Sequence, residues 1–340
     1  MAFEEVIPAV RAAQDAGEPD EFGAMSRYVD LDGPVHYLDF GGPADGPVLV
    51  CVHGLGGSHV NWVAIGPELA KTCRVLALDL AGHGRTPLAG RSPSVHANRR
   101  LLHRFLTEVV AGPVILIGNS MGGMISLAEA AEAPSEVSGL VLVDPALPLA
   151  RSGRLDRVVA TRFAGGMIPG LGERVMAKRR GAQTPEQVAV ETLAVCCVDY
   201  HRVPLPVYKA TVRIVEERHG HPEVTAAYLR AARSLFGVMA LKRAYHERMR
   251  SLGQPVLLLH GDRDRLVPLG AAKEAAKANP HWRFEVAKDI GHVPQLEAPE
   301  WTTERILDWL AKEGASAAAA TTGTRPRIPA HPGSAAKQQG

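Results

Sequence analysis

The pentapeptide Gly118-Asn119-Ser120-Met121-Gly122 has the spacing G-x-S-x-G, which presents a serine hydroxyl for nucleophilic attack. Its flanks fit that role. Val114-Ile115-Leu116-Ile117 upstream reads as a buried strand, and Gly123–Ala131 downstream is a good helix former. A strand that turns sharply into a helix forces its turn residue into strained backbone geometry. Small neighbours let the chain pass while the hydroxyl points out over the sheet. A serine hydroxyl is a poor nucleophile at neutral pH. It needs a base to take its proton, and the base needs an acid to fix its tautomer and stabilise its cation.

In an open α/β sheet, side chains that meet come from the carboxyl ends of strands. That criterion selects His292 as the base, just after the last strand candidate and preceded by Gly291, which frees the loop to turn the ring inward. His53 and His260 also end strands, and each is expected to brace a loop. Three carboxylates end strands in useful places. Asp264 lies past the run Val256–Leu259, far enough into the loop to reach His292, and is the expected acid. Asp262 is expected to serve the turn, and Asp144 is the reserve. Two donors are needed for an oxyanion. The N–H of Met121 sits at the positive end of the following helix, and the N–H of Leu55 lies in the loop His53-Gly54-Leu55-Gly56-Gly57-Ser58. Gly54 would let backbone approach substrate, and Trp62 is a candidate for the pocket floor. The loop lacks both the G-K-[ST] ending of a P-loop and G-x-G-x-x-G spacing, which argues against nucleotide binding.

The elements that must position these groups follow from the apolar pattern. Ser26–Leu31 and Val35–Phe40, joined at Asp32-Gly33, predict a hairpin. Non-alternating runs at Val48–Val52, Val75–Leu78, Val114–Ile117, Leu140–Val143, Val256–Leu259 and Phe284–Val286 predict strands buried on both faces of a parallel sheet. Helical segments separate them at Val60–Thr72, Ser94–Val110, Gly123–Ala133, Gly270–Ala278 and Pro299–Lys312. The result is an α/β fold with about eight strands and helices on both faces. Between Val143 and Val256 the segments Arg154–Phe163, Gly172–Arg180, Pro185–Asp199, Pro206–His219, Pro222–Ala232 and Ala240–Ser251 all look helical, so residues 146–251 are expected to form a helical cap on a core of 26–145 and 252–313. Residues 3–14 carry Phe3, Val6, Ile7 and Val10 at helical spacing, within an amphipathic extension of 1–25. The Ala/Thr/Gly/Pro-rich stretch 314–340 is expected to be disordered.

The 340 residues are 46% hydrophobic and 22% charged, with net charge +2, so the balance gives no argument for a nucleic-acid partner. Cys51, Cys73, Cys196 and Cys197 form neither a disulfide framework nor a zinc or redox pair, a usage that suits a reducing cytoplasm. Residues 1–22 are acidic and unlike a secretory signal. No apolar run approaches the ~20 residues of a membrane span.

With His53–Gly57, Asp79-Leu80-Ala81-Gly82-His83-Gly84-Arg85-Thr86, Gly118–Gly123, Gly261–Asp264 with Val267-Pro268, and Gly291-His292 in this order, the chain resembles the α/β-hydrolase superfamily from about Arg27 to Lys312. The resemblance implies a Ser120–Asp264–His292 triad, a helical cap, and neither a metal nor an organic cofactor. Serine at 120 argues against the dehalogenase and epoxide-hydrolase branches, which use aspartate there. Hydrolysis of a small to medium, uncharged, moderately apolar ester is the default expectation, with Phe163, Met167, Ile168, Leu171 and Met176 as possible lining. The string Asn119–Gly123 also resembles the C–C hydrolases of vinylogous diketones, with Arg179 or Arg180 available for a substrate carboxylate. Those enzymes usually carry Ser-Gly-Pro-Gly-type residues where this chain has Leu55–Ser58. A non-catalytic ligand-binding relative is the third expectation.

Overall fold

The computed structural model describes residues 19–150, 156 and 168–319. The expected segments 3–14 and, apart from Asp156, Arg154–Phe163 lie outside them. Eight strands form one sheet: β1 (Met25–Asp30), β2 (Pro34–Gly41), β3 (Val48–Val52), β4 (Arg74–Leu78), β5 (Val114–Asn119), β6 (Val137–Val143), β7 (Val256–Gly261) and β8 (Arg283–Ala287), in the order β1-β2-β4-β3-β5-β6-β7-β8. β1 and β2 form the expected hairpin, with φ of 58° at Asp32 and 112° at Gly33, and β2 runs antiparallel to β4. The remaining pairs are parallel.

Both faces of the central strands are covered, which is why their sequences do not alternate. Val48, Val50 and Val52 enter one core while Leu49 and Cys51 enter the other, and β5 divides Val114 and Leu116 from Ile115 and Ile117 in the same way. The helices over the first core include α2 (Val95–Arg104) and α3 (Met121–Glu132). The second core receives Leu69 of the short α1 (Gly66–Leu69), and Ile306 and Trp309 of α11 (Pro299–Ala319). Between β6 and β7 the chain makes α4 (Leu171–Gly181), α5 (Pro185–Cys196), α6 (Leu205–Arg218), α7 (Pro222–Ala240) and α8 (Lys242–Arg250), with no strand among the described residues. α9 (Leu269–Ala278) follows β7, and α10 (Pro294–Glu297) precedes α11.

Three expectations need correction. Val60–Thr72 is not one helix but a 3-10 turn, His59–Trp62, followed by α1. Pro67 has no N–H to carry the helical ladder across, and Gly66 packs so tightly that a Cβ there would meet the Phe40 ring at 2.6 Å. β8 is an edge strand rather than one buried on both faces, with Val286 39% exposed. The last helix runs to Ala319, past the expected end at Lys312, in keeping with the high helix propensity of Ala315 and Ala317–Ala319.

A buried ion cluster joins the antiparallel edge to the parallel sheet. Asp39 of β2 is fully buried and accepts from Arg27 Nε of β1 at 2.9 Å and from Arg74 Nη2 of β4 at 2.7 Å. Removing one partner of such a cluster strands a buried charge, so Asp39→Ala should cost about 3–5 kcal/mol in denaturant unfolding. A loss below about 1 kcal/mol would show that Arg74 finds compensation elsewhere.

Candidate active site

The turn from β5 into α3 places Ser120 at φ 54°, ψ −119°, outside the regions that residues other than glycine ordinarily populate. The neighbouring glycines make that turn possible. A Cβ at Gly118 would lie 2.6 Å from the Gly122 carbonyl oxygen, and one at Gly122 would lie 2.1 Å from that of Val52. The elbow is therefore pressed against the end of β3. Gly54 continues this contact, since a Cβ there would sit 2.9 Å from the Ser120 Cβ.

The loop after β3 is braced as expected. His53 Nδ1 donates to the Gly54 carbonyl at 2.8 Å, and its Nε2 accepts from the Leu80 N–H at 3.1 Å. Burial lowers the His53 pKa to about 4, with Asp79 opposing, so the ring is neutral in the tautomer these bonds require. The Gly57 N–H also donates to the Gly54 carbonyl, at 3.1 Å. Holding that carbonyl holds the trans peptide it belongs to, and so aims the Leu55 N–H the opposite way. Neither the Leu55 N–H nor the Met121 N–H has a protein acceptor among the described residues.

His292 and Asp264 meet at the other side. His292 Nδ1 lies 2.7 Å from Asp264 Oδ2, while Asp264 Oδ1 accepts from the Leu266 and Val267 N–H groups at 2.7 and 3.0 Å. Burial raises the Asp264 pKa. His292, His260 and the Val267 N–H outweigh that and hold it below the usual carboxylate range. The His292 N–H donates to the Cys196 carbonyl at 2.6 Å, and its own carbonyl accepts from Asn119 Nδ2 at 3.1 Å. Ser120 and His292 border one cavity of about 570 Å³. No hydrogen bond joins their side chains among the described residues. In serine–histidine sites that contact is often long before substrate tightens it.

The other sequence candidates fall elsewhere. Asp144 Oδ1 accepts from the Gly261 N–H at 2.9 Å and lies 3.5 Å from His260 Nδ1, facing the brace rather than His292. Burial, then Asp264, pushes its pKa well above the carboxylate range, so of this close pair Asp264 carries the charge. Asp262 accepts from the Asp289 N–H at 2.7 Å and serves the His292 loop. His260 Nε2 donates to the Val267 carbonyl at 2.9 Å, the expected brace. Trp62 does not form the pocket floor: it is fully buried in the second core and is not among the cavity-lining residues. Ile168 and Leu171 are exposed, Met176 is off the cavity, and Phe163 and Met167 lie outside the described residues. Leu193, Ile214, Leu235 and Met239 supply the apolar lining instead. Arg179 pairs with Glu191 at 2.8 Å on the surface, whereas Arg180 borders the cavity.

Sequence reasoning missed two buried carboxylates. Glu297 accepts from the Gly291 N–H at 2.8 Å and from the Val198 and Asp199 N–H groups at 2.9 Å each, tying the His292 loop to the end of the helical insert. Its offset from His292 is the only signal the chain offered. Asp79 accepts from His36 Nδ1, His59 Nδ1, and the His59 and Arg85 N–H groups at 2.7–2.9 Å. His36, His59 and Asp79 thus cluster at metal-binding spacing, as do Asp144, His260 and Asp264. In the first cluster both Nδ1 atoms already contact the Asp79 carboxylate.

The alpha/beta hydrolase family model matches residues 49–305. The dihydrolipoyllysine-residue acetyltransferase component of the acetoin cleaving system of Cupriavidus necator is 28% identical over 84% of this chain and 68% of its own length. Human monoacylglycerol lipase ABHD6 is 26% identical over 85% of this chain and 83% of its own. Among solved structures, Cfl2 of Burkholderia cenocepacia superposes with a TM-score of 0.69 at 21% identity, covering 86% of this chain and 98% of its own. The 2-hydroxy-6-oxo-6-phenylhexa-2,4-dienoate hydrolase of Rhodococcus sp. strain RHA1 superposes with a TM-score of 0.66 at 21% identity, covering 85% and 99%. At those identities the two structures speak to the fold alone.

The histidines around the β3 loop make stability depend on pH. Burial lowers His36 and His53 to about 4 and His83 to about 3. Below about 6.5 the unfolded chain takes up protons that the folded chain refuses, so unfolding is favoured increasingly as pH falls toward 4. Denaturation midpoints should drop continuously from pH 6.5 to 4, and a flat profile across that window would contradict neutral buried rings. The eight-stranded mostly parallel sheet, the elbow and the match across residues 49–305 establish that the chain belongs to the alpha/beta hydrolase family.

Proposed function

We propose that this protein is a serine hydrolase that cleaves carboxylic esters through an acyl-enzyme, with residues 146–251 acting as a cap over the site. The observation that carries the reading is the 2.7 Å His292–Asp264 contact opening onto the same cavity as a serine held at positive φ. His292 takes the Ser120 proton as Oγ attacks the carbonyl carbon. Negative charge collects on the carbonyl oxygen, where the Leu55 and Met121 N–H groups receive it. His292 then protonates the leaving alcohol, and water repeats the cycle on the acyl-enzyme. Ionised Asp264 fixes the His292 tautomer and stabilises the imidazolium. A volume of about 570 Å³ suits a small to medium ester.

A second reading, C–C hydrolysis of a vinylogous diketone, is favoured by Arg180 on the cavity wall. Loss of the visible absorbance of a ring-cleavage dienol would establish it, while an inert dienol panel beside intact ester turnover would remove it.

A fluorophosphonate probe should label the wild-type protein and miss Ser120→Ala, and equal labelling of both would sink the assignment. Asp264→Asn should lower kcat on an activated ester roughly a thousand- to ten-thousand-fold, whereas Asp144→Asn should change it by less than about tenfold. The reverse ranking would move the acid to β6.

A further inference from the structure

Cys196 and Cys197 stand at the seam between the helical insert and the His292 loop. Cys196 ends α5, is half-buried, and borders the same cavity as Ser120 and His292. Cys197 is buried in the second core. None of the four cysteines forms a disulfide, and Cys51 and Cys73 are buried. Adjacency alone offers no C-x-x-C spacing and no reason to read a redox pair. The contacts of the peptide between the two residues supply that reason. Its carbonyl oxygen, on Cys196, accepts from the His292 N–H at 2.6 Å, and its N–H, on Cys197, donates to the Leu193 carbonyl at 2.7 Å. Gly291 lies against it: a Cβ there would meet the Cys196 oxygen at 2.2 Å and the Cys197 Cα at 3.0 Å. One peptide unit thus ties the backbone of the base to the end of α5.

That unit cannot keep its place once the two sulfurs join. Ordinary disulfides hold their Cα atoms about 4.4–6.8 Å apart, whereas neighbours across a trans peptide are about 3.8 Å apart. Ring closure therefore has to twist or turn the intervening peptide, and a turned peptide takes the Cys196 carbonyl off the His292 N–H. Gly291, already in backbone contact with that carbonyl, is pushed with it. Neighbouring ties hold both sides of the seam. Glu297 receives the Val198, Asp199 and Gly291 N–H groups, and Arg202 donates to the Asp289 carbonyl and carboxylate. The change is therefore concentrated at Gly291 and His292. Strain of this kind also makes a disulfide more reducible, so thiols reopen it.

We propose that Cys196 and Cys197 form a modification site for hydroperoxides, in which closure to a disulfide between adjacent residues draws the His292 loop out of place and switches the Ser120 site off. Cys196 reacts first. It borders the cavity, while burial, then Cys196 and Glu297, hold the Cys197 thiol well above the usual thiol range. The Cys196 sulfur takes the terminal oxygen of the hydroperoxide as the O–O bond breaks. An alcohol, or water from hydrogen peroxide, leaves with the thiol proton. The Cys197 sulfur then attacks the Cys196 sulfenic acid, the S–O bond breaks, and hydroxide leaves with the Cys197 proton as water. Two thiols are oxidised and one peroxide is reduced. Two equivalents of a thiol return the dithiol and, with it, the His292 contact. The assignment rests on the ester-hydrolase reading above and adds its regulation.

The test treats the full chain with hydrogen peroxide, removes the excess with catalase, and measures ester turnover and fluorophosphonate labelling before and after dithiothreitol. Wild-type turnover should fall about 10- to 100-fold, the loss expected when a reacting group is displaced by about 1 Å, and dithiothreitol should restore it. Methionine sulfoxides are not reduced by a simple thiol, so recovery assigns the effect to cysteine. The tryptic peptide 181–202 holds Cys196 and Cys197 and no other cysteine. In acid-quenched digests it should be about 2 Da lighter after peroxide and take up no alkylating reagent until reduced. Cys196→Ser, compared with its own untreated activity, should lose less than about twofold. If that variant does not fold, the wild-type digest decides, because the lighter peptide and the loss of turnover must appear and reverse together. A peptide that gains oxygen without losing two hydrogens, a closed pair with unchanged turnover, or an equal loss in Cys196→Ser would overturn the proposal. Absence of both turnover and labelling in the reduced protein would overturn the ester reading and the switch with it, whatever the digest shows.

Discussion

The site depends on one backbone constraint, the positive φ at Ser120. A residue held there costs about 1–3 kcal/mol, and the surrounding packing must supply it. Gly118, Gly122 and Gly54 have no Cβ, so the β5 turn, the start of α3 and the β3 loop close to within backbone contact. That closeness brings the Ser120 turn against the loop that carries Leu55. A single methyl at Gly122 would collide with the Val52 carbonyl and, in the proposed mechanism, move Ser120 away from the Leu55 and Met121 amides.

Around this constraint the buried polar groups divide between charged and neutral. Asp264 is ionised because His292, His260 and backbone N–H groups surround it, whereas its neighbour Asp144, buried and close to that charge, is held neutral. Asp79 is likewise charged, and burial keeps the adjoining His36 and His53 rings neutral. Neutral rings can donate from one nitrogen and accept at the other, as His53 does in bracing the Gly54 carbonyl. The loop that carries the Leu55 N–H is thus braced by a neutral His53 ring.

Much of this was legible in the sequence because it follows local rules. Non-alternating apolar runs gave the parallel strands, Asp32-Gly33 the hairpin, and strand ends the positions of Ser120, Asp264 and His292. What escaped depends on distant partners. Glu297 links the His292 loop to the insert because Val198 and Asp199, 99 and 98 residues earlier in the chain, offer it their N–H groups. Trp62 is as apolar as a pocket wall should be, but which face of the 3-10 turn meets the second core is set by packing. The cavity lining drifted for the same reason: helix periodicity says that an insert is amphipathic without saying which stripe faces the site.

The central claim, that Ser120 carries the acyl group, is tested most directly by mass spectrometry of the protein quenched in acid during turnover of a slowly deacylating ester. The account predicts an added mass equal to the acyl group, mapped to the peptide holding Ser120, that disappears as substrate is exhausted. Full turnover with no adduct, or an adduct on any other residue, would contradict it.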